Sequence, residues 1–409
     1  MQGPKTSLMV FTMGHWRTRV VCISDTHNQT PKLPAGDILI HAGDLTNQGT
    51  YSELKKATKW LQQADFKVKI VISGNHDITC DIPFYQEHGR YFHNQDLEDP
   101  QRCIALLQSD PTIVYLNHES KQVRFTREDG AMTTLKVFGS PYSPARGLWA
   151  FGYAPEQASG RWDQIPLDSD IVVIHTPARF HRDECSERGT AGCEVLRETL
   201  WRVRPRLFVC GHVHEAYGVE VVAWDLSSPN VSFKEKGLRY WDAPQPASKK
   251  QYTVDLSSRA GAVALRNDGS VGNLVGTRKL SHVRGIEVDG PADDVPDAPQ
   301  ARETKLPAPP TLCQSPFPGF QKAQRPIPME PQHTHNNQLA TRGHGGSASS
   351  ARSDQEAISG REGRLETCVV NAAYMATNWP HKAGKRFHKP IVVDLDLTTE
   401  PPPSKQSED

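Results

Sequence analysis

Five short apolar runs in the first half of the chain each end in residues that can bind a metal ion. Each run has the length and composition of a buried β-strand. Ligands of open α/β sheets bind beyond the carboxyl ends of the strands, so we expect the residues that follow the runs to share one edge. The sequence therefore predicts a metal site built from Asp25, His27, Asp44, Asn75, His175, His212 and His214.

The segments between these runs predict an α/β fold. Leu54, Ala57 and Leu61 recur at helical spacing after Ser52, a candidate cap, and this helix would connect two parallel strands. Residues 114–116, 123–125 and 135–139 form shorter, partly alternating runs. Such runs are typical of a second, more antiparallel sheet.

Composition along the chain divides it into five parts. The main domain is predicted over residues 18–284, with residues 225–284 too weakly patterned to assign. Residues 285–365 are rich in Pro, Gly and Ser and predict a disordered insertion, because they cannot bury enough apolar surface to offset their ordering entropy. Residues 366–398 are β-rich and are expected to complete the domain, whereas residues 1–17 and 399–409 are predicted to be flexible ends.

Charge, cysteine content and the lengths of the apolar runs narrow the classes of protein to which this chain can belong. Lys plus Arg and Asp plus Glu both number 47, so no global field favours bulk binding to nucleic acid. Eight cysteines without a C-x-x-C pair suit a reducing compartment. No apolar run approaches the length of a membrane span, and we expect a soluble, cytoplasmic protein whose Pro-rich insertion recruits protein partners.

The predicted ligands favour two divalent ions. Carboxylate, amide and imidazole groups together suit Mn, Fe or Zn, and the absence of Cys from the set argues against a closed structural zinc site. Seven ligands are too many for one ion. Two ions roughly 3.5–4 Å apart would use all seven and would activate a bridging hydroxide for in-line attack at phosphorus.

The order of the motifs resembles that of the calcineurin-like metallophosphoesterase superfamily, and especially the metallophosphoesterase-domain proteins of animals and their fungal counterparts. The resemblance covers residues 18–224 and the C-terminal strands. The resemblance to the superfamily depends on Asp-Thr-His at 25–27, Gly-Asp at 43–44, Gly-Asn-His-Asp at 74–77, His175, and Gly-His-Val-His at 211–214. The closer resemblance to the animal and fungal proteins depends on Ser-Asp-Thr-His at 24–27, Gly-Asp-Leu-Thr at 43–46, the Gly-Ser-Pro turn at 139–141 and the late strand of Asn371. This family implies a four-layer sandwich of two mixed sheets flanked by helices, with a dinuclear metal site at the carboxyl ends of the strands.

The resemblance also implies roles for individual residues. The first metal would be held by Asp25, His27 and His214, the second by Asn75, His175 and His212, with Asp44 as the catalytic bridge. His76 would be free to act as general acid. Asp77 stands where many relatives have Glu. The implied activity is that of a phosphodiesterase acting on a small phosphoester, with nucleotides and cyclic nucleotides among the candidates; the alternative is a metal-binding scaffold with vestigial activity.

Other polar residues have simpler interpretations. His41 lies inside a strand and is expected to be a hydrogen-bonded core residue. His333 and His335 fall in the predicted disordered insertion and are expected to be solvated. Arg361, Arg364 and the basic residues at 382–386 are predicted to be surface charge, with contact to a phosphate-bearing ligand as the alternative. The aromatic loop at 147–152 either lines a pocket or covers the core.

Overall fold

The strands form one sheet that is folded on itself. The computed structural model describes residues 14–127, 130–186, 189–226, 235–244, 248–270, 361–378, 380–381 and 384–400. Within these ranges, thirteen strands are connected by hydrogen bonds. They are β1 (Gly14–Ile23), β2 (Ile38–Ala42), β3 (Val68–Ile72), β4 (Ile113–Tyr115), β5 (Glu119–Thr126), β6 (Met132–Ser140), β9 (Ile171–Ile174), β12 (Leu207–Cys210), β13 (Gly218–Trp224), β14 (Glu235–Trp241), β15 (Tyr252–Asp255), β16 (Glu366–Asn371) and β17 (Ile391–Glu400).

The sheet consists of two halves. One half has the order β14-β13-β16-β12-β9-β6, with β5 beside β6, and the other has the order β17-β1-β2-β3-β4, with β15 beside β17. They are joined where Thr133 and Met132 of β6 pair with Thr399 and Glu400 of β17. Each half mixes parallel and antiparallel pairs, as expected. The two predicted sheets are thus two halves of one hydrogen-bonded path.

Two short ribbons lie outside this path. One consists of β7 (Ser143–Pro144) and β8 (Gly152–Tyr153), and the other of β10 (Glu184–Cys185) and β11 (Gly189–Thr190). The first brackets the aromatic loop, and the second follows the strand that carries His175. Both therefore lie in segments next to the predicted site.

Helices cover both outer faces of the folded sheet. They are α1 (Tyr51–Gln63), α2 (Ile82–Phe92), α3 (Pro100–Gln108), α4 (Ala158–Trp162) and α5 (Glu194–Val203). Leu54 and Leu61 of α1 belong to the same buried apolar cluster as Leu39 of β2, and Leu200 of α5 belongs to a second cluster with Phe208 of β12. The inner faces of both halves share one apolar core. The order helix, sheet, sheet, helix confirms the α/β fold. No helix of the described ranges has the length and hydrophobicity to cross a bilayer.

Helix α1 is capped by Thr50, two residues before the predicted cap Ser52. The side chain of Thr50, not Ser52, accepts the hydrogen bond from the backbone N–H of Glu53, and the Glu53 carboxylate accepts one from the backbone N–H of Thr50. This reciprocal pair is a capping box, which satisfies two donors at the helix start. Thr50 supplies the same hydroxyl acceptor that the prediction required, so the helix begins at Tyr51 with its buried face unchanged.

The ends of several predicted segments differ from the structure. β1 begins at Gly14, inside the predicted extension, and β17 continues to Glu400, inside the predicted tail. Most of the predicted insertion and residues 1–13 and 401–409 lie outside the described residues, as do His333 and His335. Strand pairing with β17 extends β1, because every residue from Gly14 to Cys22 has a partner there.

Arg361 and Arg364 were predicted to be surface charge, and this was wrong. Arg364 is fully buried and donates hydrogen bonds to the carbonyls of Ser169 at 2.6 Å and Ser270 at 3.0 Å. Arg361 is 5% exposed and donates to the carbonyl of Leu167 at 3.1 Å. Backbone carbonyls therefore replace water around these guanidinium groups, which a sequence pattern does not reveal.

Candidate metal centre

The carboxyl ends of five parallel strands place the predicted ligands together. β1, β2 and β3 are mutually parallel in one half of the sheet, and β9 and β12 are parallel in the other. The two edges are tied by hydrogen bonds from the backbone N–H of His212 to Asp25 Oδ2 at 3.0 Å and from His175 Nδ1 to the carbonyl of Ala42 at 2.9 Å. All seven predicted ligands consequently meet in one cluster.

One group of ligands lies around Asp25. His214 Nε2 is 3.4 Å from Asp25 Oδ1 and 3.4 Å from His27 Nε2. A second group lies around Asn75, whose Oδ1 is 3.1 Å from His175 Nε2 and 2.8 Å from His212 Nδ1. The structure thus brings together the members of each set that the family resemblance implied.

Asp44 lies between the two groups. Its Oδ2 is 3.8 Å from His27 Nε2 and 3.5 Å from His175 Nε2, while its Oδ1 accepts a hydrogen bond from the backbone N–H of His76 at 2.8 Å. One oxygen is therefore fixed by the backbone and the other is directed between the imidazoles. Asp25, Asp44 and His175 form one set with ligand atoms within 4.8 Å of one another.

Backbone partners direct the imidazole lone pairs into the cluster. His175 Nδ1 faces the carbonyl of Ala42, and His214 Nδ1 faces the carbonyl of Thr377 at 3.3 Å. A carbonyl oxygen only accepts, so Nδ1 carries the proton and Nε2 of the neutral ring points its lone pair toward the carboxylates. Lone pairs and anionic oxygens facing one another at 3.4–3.5 Å are what a cation site requires. The residues fit divalent ions.

The titration behaviour of these groups follows the same charge pattern. Burial alone would lower the pKa of His175, but the carboxylate of Asp44 raises it to about 9. Burial alone would raise the pKa of Asp25, but the hydrogen bond and charge of His214 lower it to about 2. Burial lowers the pKa of His27 and of His212 to about 3. The two carboxylates thus strongly attract positive charge, whether it is carried by protons or by metal ions.

The local backbone is strained at four of the seven residues. The backbone φ is positive at Asp25 (51°), His27 (43°), Asp44 (53°) and His212 (65°). Such conformations cost on the order of 1 kcal/mol or more each for residues with a Cβ, and they are found where function requires them. Here they turn successive side chains away from the strand direction and into the cluster.

Close approach of the loops requires glycine at two positions. A Cβ at Gly211 would lie 2.1 Å from Asp25 Oδ2, and a Cβ at Gly74 would lie 2.3 Å from Asp44 Oδ1. Both distances are far below van der Waals contact, so any side chain there would displace a carboxylate. The two glycines in the motifs therefore make room for the acidic groups.

Asp77 holds two of the loops together. Its carboxylate accepts hydrogen bonds from the backbone N–H groups of Leu45, Thr46 and Gly74, at 3.2, 2.9 and 2.9 Å. The Thr46 hydroxyl donates to it at 2.7 Å. Burial and the nearby charge of Asp44 raise the pKa of Asp77 to about 6. The shorter acid at this position therefore fixes the loop of Asp44 against the loop of Asn75.

His76 is oriented by its neighbours on three sides. Its Nδ1 donates to the carbonyl of Asn47 at 2.8 Å, which leaves Nε2 unprotonated in the neutral ring. The ring lies 4.8 Å from the ring of His27 and 4.1 Å from the ring of Trp149. His76 also has a nitrogen within 4.8 Å of ligand atoms of His27 and Asp44, so distance alone does not separate it from the ligands.

The aromatic loop lies beside this histidine. Trp149 is half-buried between His76 and Phe92, whose ring is 5.7 Å away. Phe151 is buried, with its backbone N–H donating to Asp81 Oδ2 at 2.7 Å. Each interpretation of this loop therefore holds for one residue. Trp149 borders the site, and Phe151 fills the core. His41 is a buried core residue, with Nε2 3.0 Å from Thr26 Oγ1.

Sequence reasoning missed Thr377, and it noted the strand that ends at Asn371 only for its family resemblance, without a role toward His214. Thr377 supplies the carbonyl for its Nδ1. Asn371, at the end of β16, donates from Nδ2 to the carbonyl of Val213 at 2.9 Å and so fixes the turn before His214. Neither residue belongs to the five motifs. The signal that could have found this segment is its charge, since no acidic residue occurs between Glu366 and Asp394.

Comparison with known proteins identifies the family. A profile of the calcineurin-like phosphoesterases matches residues 18–216. The UPF0046 protein K07C11.7 of Caenorhabditis elegans is 32% identical over 218 residues, a match that covers 53% of this chain and 68% of that protein. The chain belongs to the calcineurin-like phosphoesterase family.

Two further relatives of this calcineurin-like phosphoesterase differ in how much of their own length the match covers. Metallophosphoesterase domain-containing protein 1 of Homo sapiens is 36% identical over 211 residues, covering 49% of this chain and 62% of that protein. A protein of Emericella nidulans named probable rhamnogalacturonate lyase C is 44% identical over 210 residues, covering 51% of this chain but 18% of that protein. Less than two thirds of each is matched, and the lyase name describes a much longer protein.

Proposed function

We propose that this protein is a phosphodiesterase that depends on two divalent metal ions. Asp25, His27 and His214 would hold one ion and Asn75, His175 and His212 the other, with Asp44 shared. The observation that carries the proposal is the position of Asp44 Oδ2, at 3.8 Å from His27 Nε2 of one group and 3.5 Å from His175 Nε2 of the other. A shared carboxylate between two sets of ligands is the arrangement that a dinuclear centre needs.

The donor set supports Mn, Fe or Zn, because imidazole nitrogen and carboxylate oxygen are both present. We propose Mn as the ion that best supports activity in vitro. Two bound divalent cations would lower the pKa of water and neutralise charge on a phosphoryl group. The chain itself contributes the fixed imidazole tautomers, set by the carbonyls of Ala42 and Thr377.

The general acid in this proposal is His76. The carbonyl of Asn47 holds its Nδ1, and Trp149 and His27 border the ring, so Nε2 has a defined direction. Protonated at Nε2, the ring would donate that proton to the departing oxygen of the substrate. Such a positioned acid contributes roughly 10²–10⁴-fold to a proton-dependent step.

The remaining assignments belong to the same proposal. The substrate is a small phosphoester, with nucleotides and cyclic nucleotides as the first compounds to test. Seven described cysteines are buried free thiols, which suits a reducing compartment such as the cytoplasm. The Pro-rich segment within residues 285–365 is proposed to recruit protein partners.

The experiment measures metal content and turnover on the same full-length preparation. We expect about two Mn ions per chain by elemental analysis, hydrolysis of bis(p-nitrophenyl) phosphate, loss of hydrolysis with chelator, and recovery with Mn. His27→Ala should lose metal and activity together. His88→Ala is the matched control, since His88 lies on α2 and belongs to none of the ligand clusters.

Two outcomes would contradict the proposal in different ways. Two bound ions without turnover on any phosphodiester would favour the metal-binding scaffold instead. Turnover that survives complete removal of metal would show that the seven residues have another role.

A further inference from the structure

A hairpin-like segment from the C-terminal part of the chain is attached directly to the candidate metal centre. We call residues 374–388 the cationic arm. Its first residues pair with the end of β1, since the backbone N–H of Tyr374 donates to the carbonyl of Ser24 at 2.7 Å and that of Met375 donates to the carbonyl of Asp25 at 3.2 Å. The arm thus begins at a predicted ligand.

The two sides of the cationic arm are joined to each other. The backbone N–H of Ala376 donates to the carbonyl of Arg386 at 2.9 Å, and that of His388 donates to the carbonyl of Tyr374 at 2.8 Å. Tyr374 and Phe387 stack with ring centroids 5.2 Å apart. These contacts define the path of the arm on both sides. Residues 379, 382 and 383 lie outside the described part of the chain.

The arm also contacts the other edge of the site. The carbonyl of Thr377 accepts the hydrogen bond from His214 Nδ1 at 3.3 Å. The hydroxyl of the same threonine is 2.8 Å from His381 Nδ1 and accepts from the backbone N–H of Arg386 at 3.5 Å. His381 and Arg386 are therefore one residue removed from a predicted ligand of the first metal.

The charge of this segment has one sign. Between Glu366 and Asp394 the sequence contains Lys382, Lys385, Arg386 and Lys389 and no acidic residue. Lys389 Nζ donates to the carbonyl of Lys250 at 2.6 Å and is occupied in the fold. Lys385 and Arg386 are exposed. Glu215 is an acidic residue near the arm, and its carboxylate accepts a hydrogen bond from Asn378 Nδ2 at 3.1 Å.

We propose that Lys385 and Arg386 of the cationic arm bind a second anionic group of the substrate, which rests on the proposed phosphodiesterase function. Exposed cations beside a site for phosphoryl groups raise the local concentration of anionic ligands, and a guanidinium pairs with two oxygens of a phosphate. The substrate class is then a phosphodiester that carries a further phosphate or carboxylate.

The position of His27 indicates which part of the substrate carries this group. The ring of His27 lies 4.8 Å from the ring of His76 and 5.4 Å from the ring of His214. The proposed acid His76 and the arm-bound His214 are therefore two different neighbours of His27. The second anion belongs on the group that stays on phosphorus, because His76 serves the leaving oxygen.

The test compares two chromogenic substrates that differ by one phosphate on the retained group. These are the p-nitrophenyl ester of thymidine 5′-phosphate and the same ester with a 3′-phosphate. With Mn-loaded full-length protein we expect kcat/KM to be about tenfold higher for the 3′-phosphorylated ester, mostly through KM, as expected for one charge-assisted contact. In the double variant Lys385→Ala, Arg386→Ala this preference should fall to about twofold or less.

A matched control and a binding measurement complete the test. Lys59→Ala removes an exposed lysine from the solvent face of α1 and should keep the full preference. Calorimetry should show tighter binding of thymidine 3′,5′-bisphosphate than of thymidine 5′-phosphate to the Mn-loaded protein, with the difference reduced in the double variant. If the double variant does not fold, Lys385→Gln alone carries the same comparison.

The outcomes separate this inference from the proposed function. Turnover of both esters with equal kcat/KM, or an unchanged preference in the variants, would overturn the role of the arm and leave the phosphodiesterase intact. Absence of turnover on both esters and on bis(p-nitrophenyl) phosphate would overturn the proposed function. In that case the bisphosphate binding difference still decides whether the arm recognises a second anion.

Discussion

At the scale of single residues, Asp44 has two oxygens with separate tasks. Oδ1 accepts the backbone N–H of His76 at 2.8 Å, and Oδ2 is 3.5 Å from His175 Nε2. A positive φ of 53° turns the side chain into this position. The Asp44 carboxylate, which is the proposed shared ligand, therefore also fixes the backbone of His76, which is the proposed acid.

The first prediction compares Asp44→Asn with Asp25→Asn. Asn can still accept the hydrogen bond from His76, but it loses the charge that the proposal shares between two ions. We expect Asp44→Asn to lower kcat at least about tenfold more than Asp25→Asn, which touches one ion. The measurements are turnover of bis(p-nitrophenyl) phosphate and metal content. Equal, substantial activity in both variants with two ions bound would refute the shared role.

The second prediction concerns His76→Ala. A nitrophenolate can leave without being protonated, whereas an alkoxide needs a proton in order to leave. We expect a loss of roughly 10²-fold or more on alkyl or ribose diesters, and a much smaller loss on bis(p-nitrophenyl) phosphate. Metal content should be unchanged. Equal losses on both substrates would assign His76 to binding the phosphoryl oxygens, and loss of one ion would make it a ligand.

At the scale of secondary-structure elements, a buried ionic network joins β13, β14 and α5. His181 Nδ1 is 2.8 Å from Glu220 Oε1, and its Nε2 is 3.3 Å from Glu235 Oε1. Arg197 of α5 donates to the same Glu235 at 2.8 and 2.9 Å. Arg182 lies 3.5 Å from Glu220. Burial alone would lower the pKa of His181, but the hydrogen bonds to Glu220 and Glu235 raise it to about 9.

The third prediction is a pH dependence of stability that comes from His181. A pKa raised from the ordinary value of 6.5 to about 9 means that the protonated ring stabilises the fold fully below pH 6.5, and that this stabilisation is lost as the pH rises through 9. His181→Gln should lower the free energy of unfolding by about 1–3 kcal/mol at pH 6.5. The difference from wild type should shrink by pH 10.

Denaturant titrations at pH 6.5, 8 and 10 measure this difference. The control is His88→Gln, because the His88 side chain is 25% exposed and lies on the surface of α2. A penalty for His181→Gln that is the same at all three pH values would show that His181 contributes packing and not charge.

At the scale of the whole molecule, the described flanks of residues 271–360 are adjacent. The backbone N–H of Asp268 donates to the carbonyl of Gly363 at 3.2 Å, and that of Leu365 donates to the carbonyl of Arg266 at 3.0 Å. Arg364 also donates to the carbonyl of Ser270 at 3.0 Å. The two described chain ends that flank residues 271–360 therefore lie side by side.

The fourth prediction follows from this adjacency. Replacing residues 295–355 by a short Gly/Ser linker should leave melting temperature and turnover nearly unchanged, because the free-energy cost of a loop varies weakly with its length. Arg364→Leu in the full chain is the destabilised reference, since the carbonyls of Ser169 and Ser270 would lose their donor. An unfolded or inactive linker variant would show that residues 295–355 pack on the domain.

The site could be predicted from sequence where its signal is local. Strand periodicity and the residue after each strand are read within about ten positions, so Asp25, Asp44 and His175 could be predicted before their distances were known. The support of His214 by Thr377 could not, because this contact joins residues that are 163 positions apart in the chain. Arg364 was misassigned for a related reason: its partners are the carbonyls of Ser270 and Ser169, which are 94 and 195 residues away in the chain.

The position of β17 has a consequence for synthesis on the ribosome. This strand, Ile391–Glu400, lies between β1 and β6, and it also pairs with β15. Until it leaves the exit tunnel, β1 has an unpaired edge and the inner core lacks Ile391, Val393, Leu395 and Leu397. A nascent chain of some 380 residues therefore exposes an unpaired strand edge that is prone to aggregation. This edge stays exposed while the segment between β15 and β17 is translated. Yield in a fast-translating host should consequently depend on chaperones that shield β1.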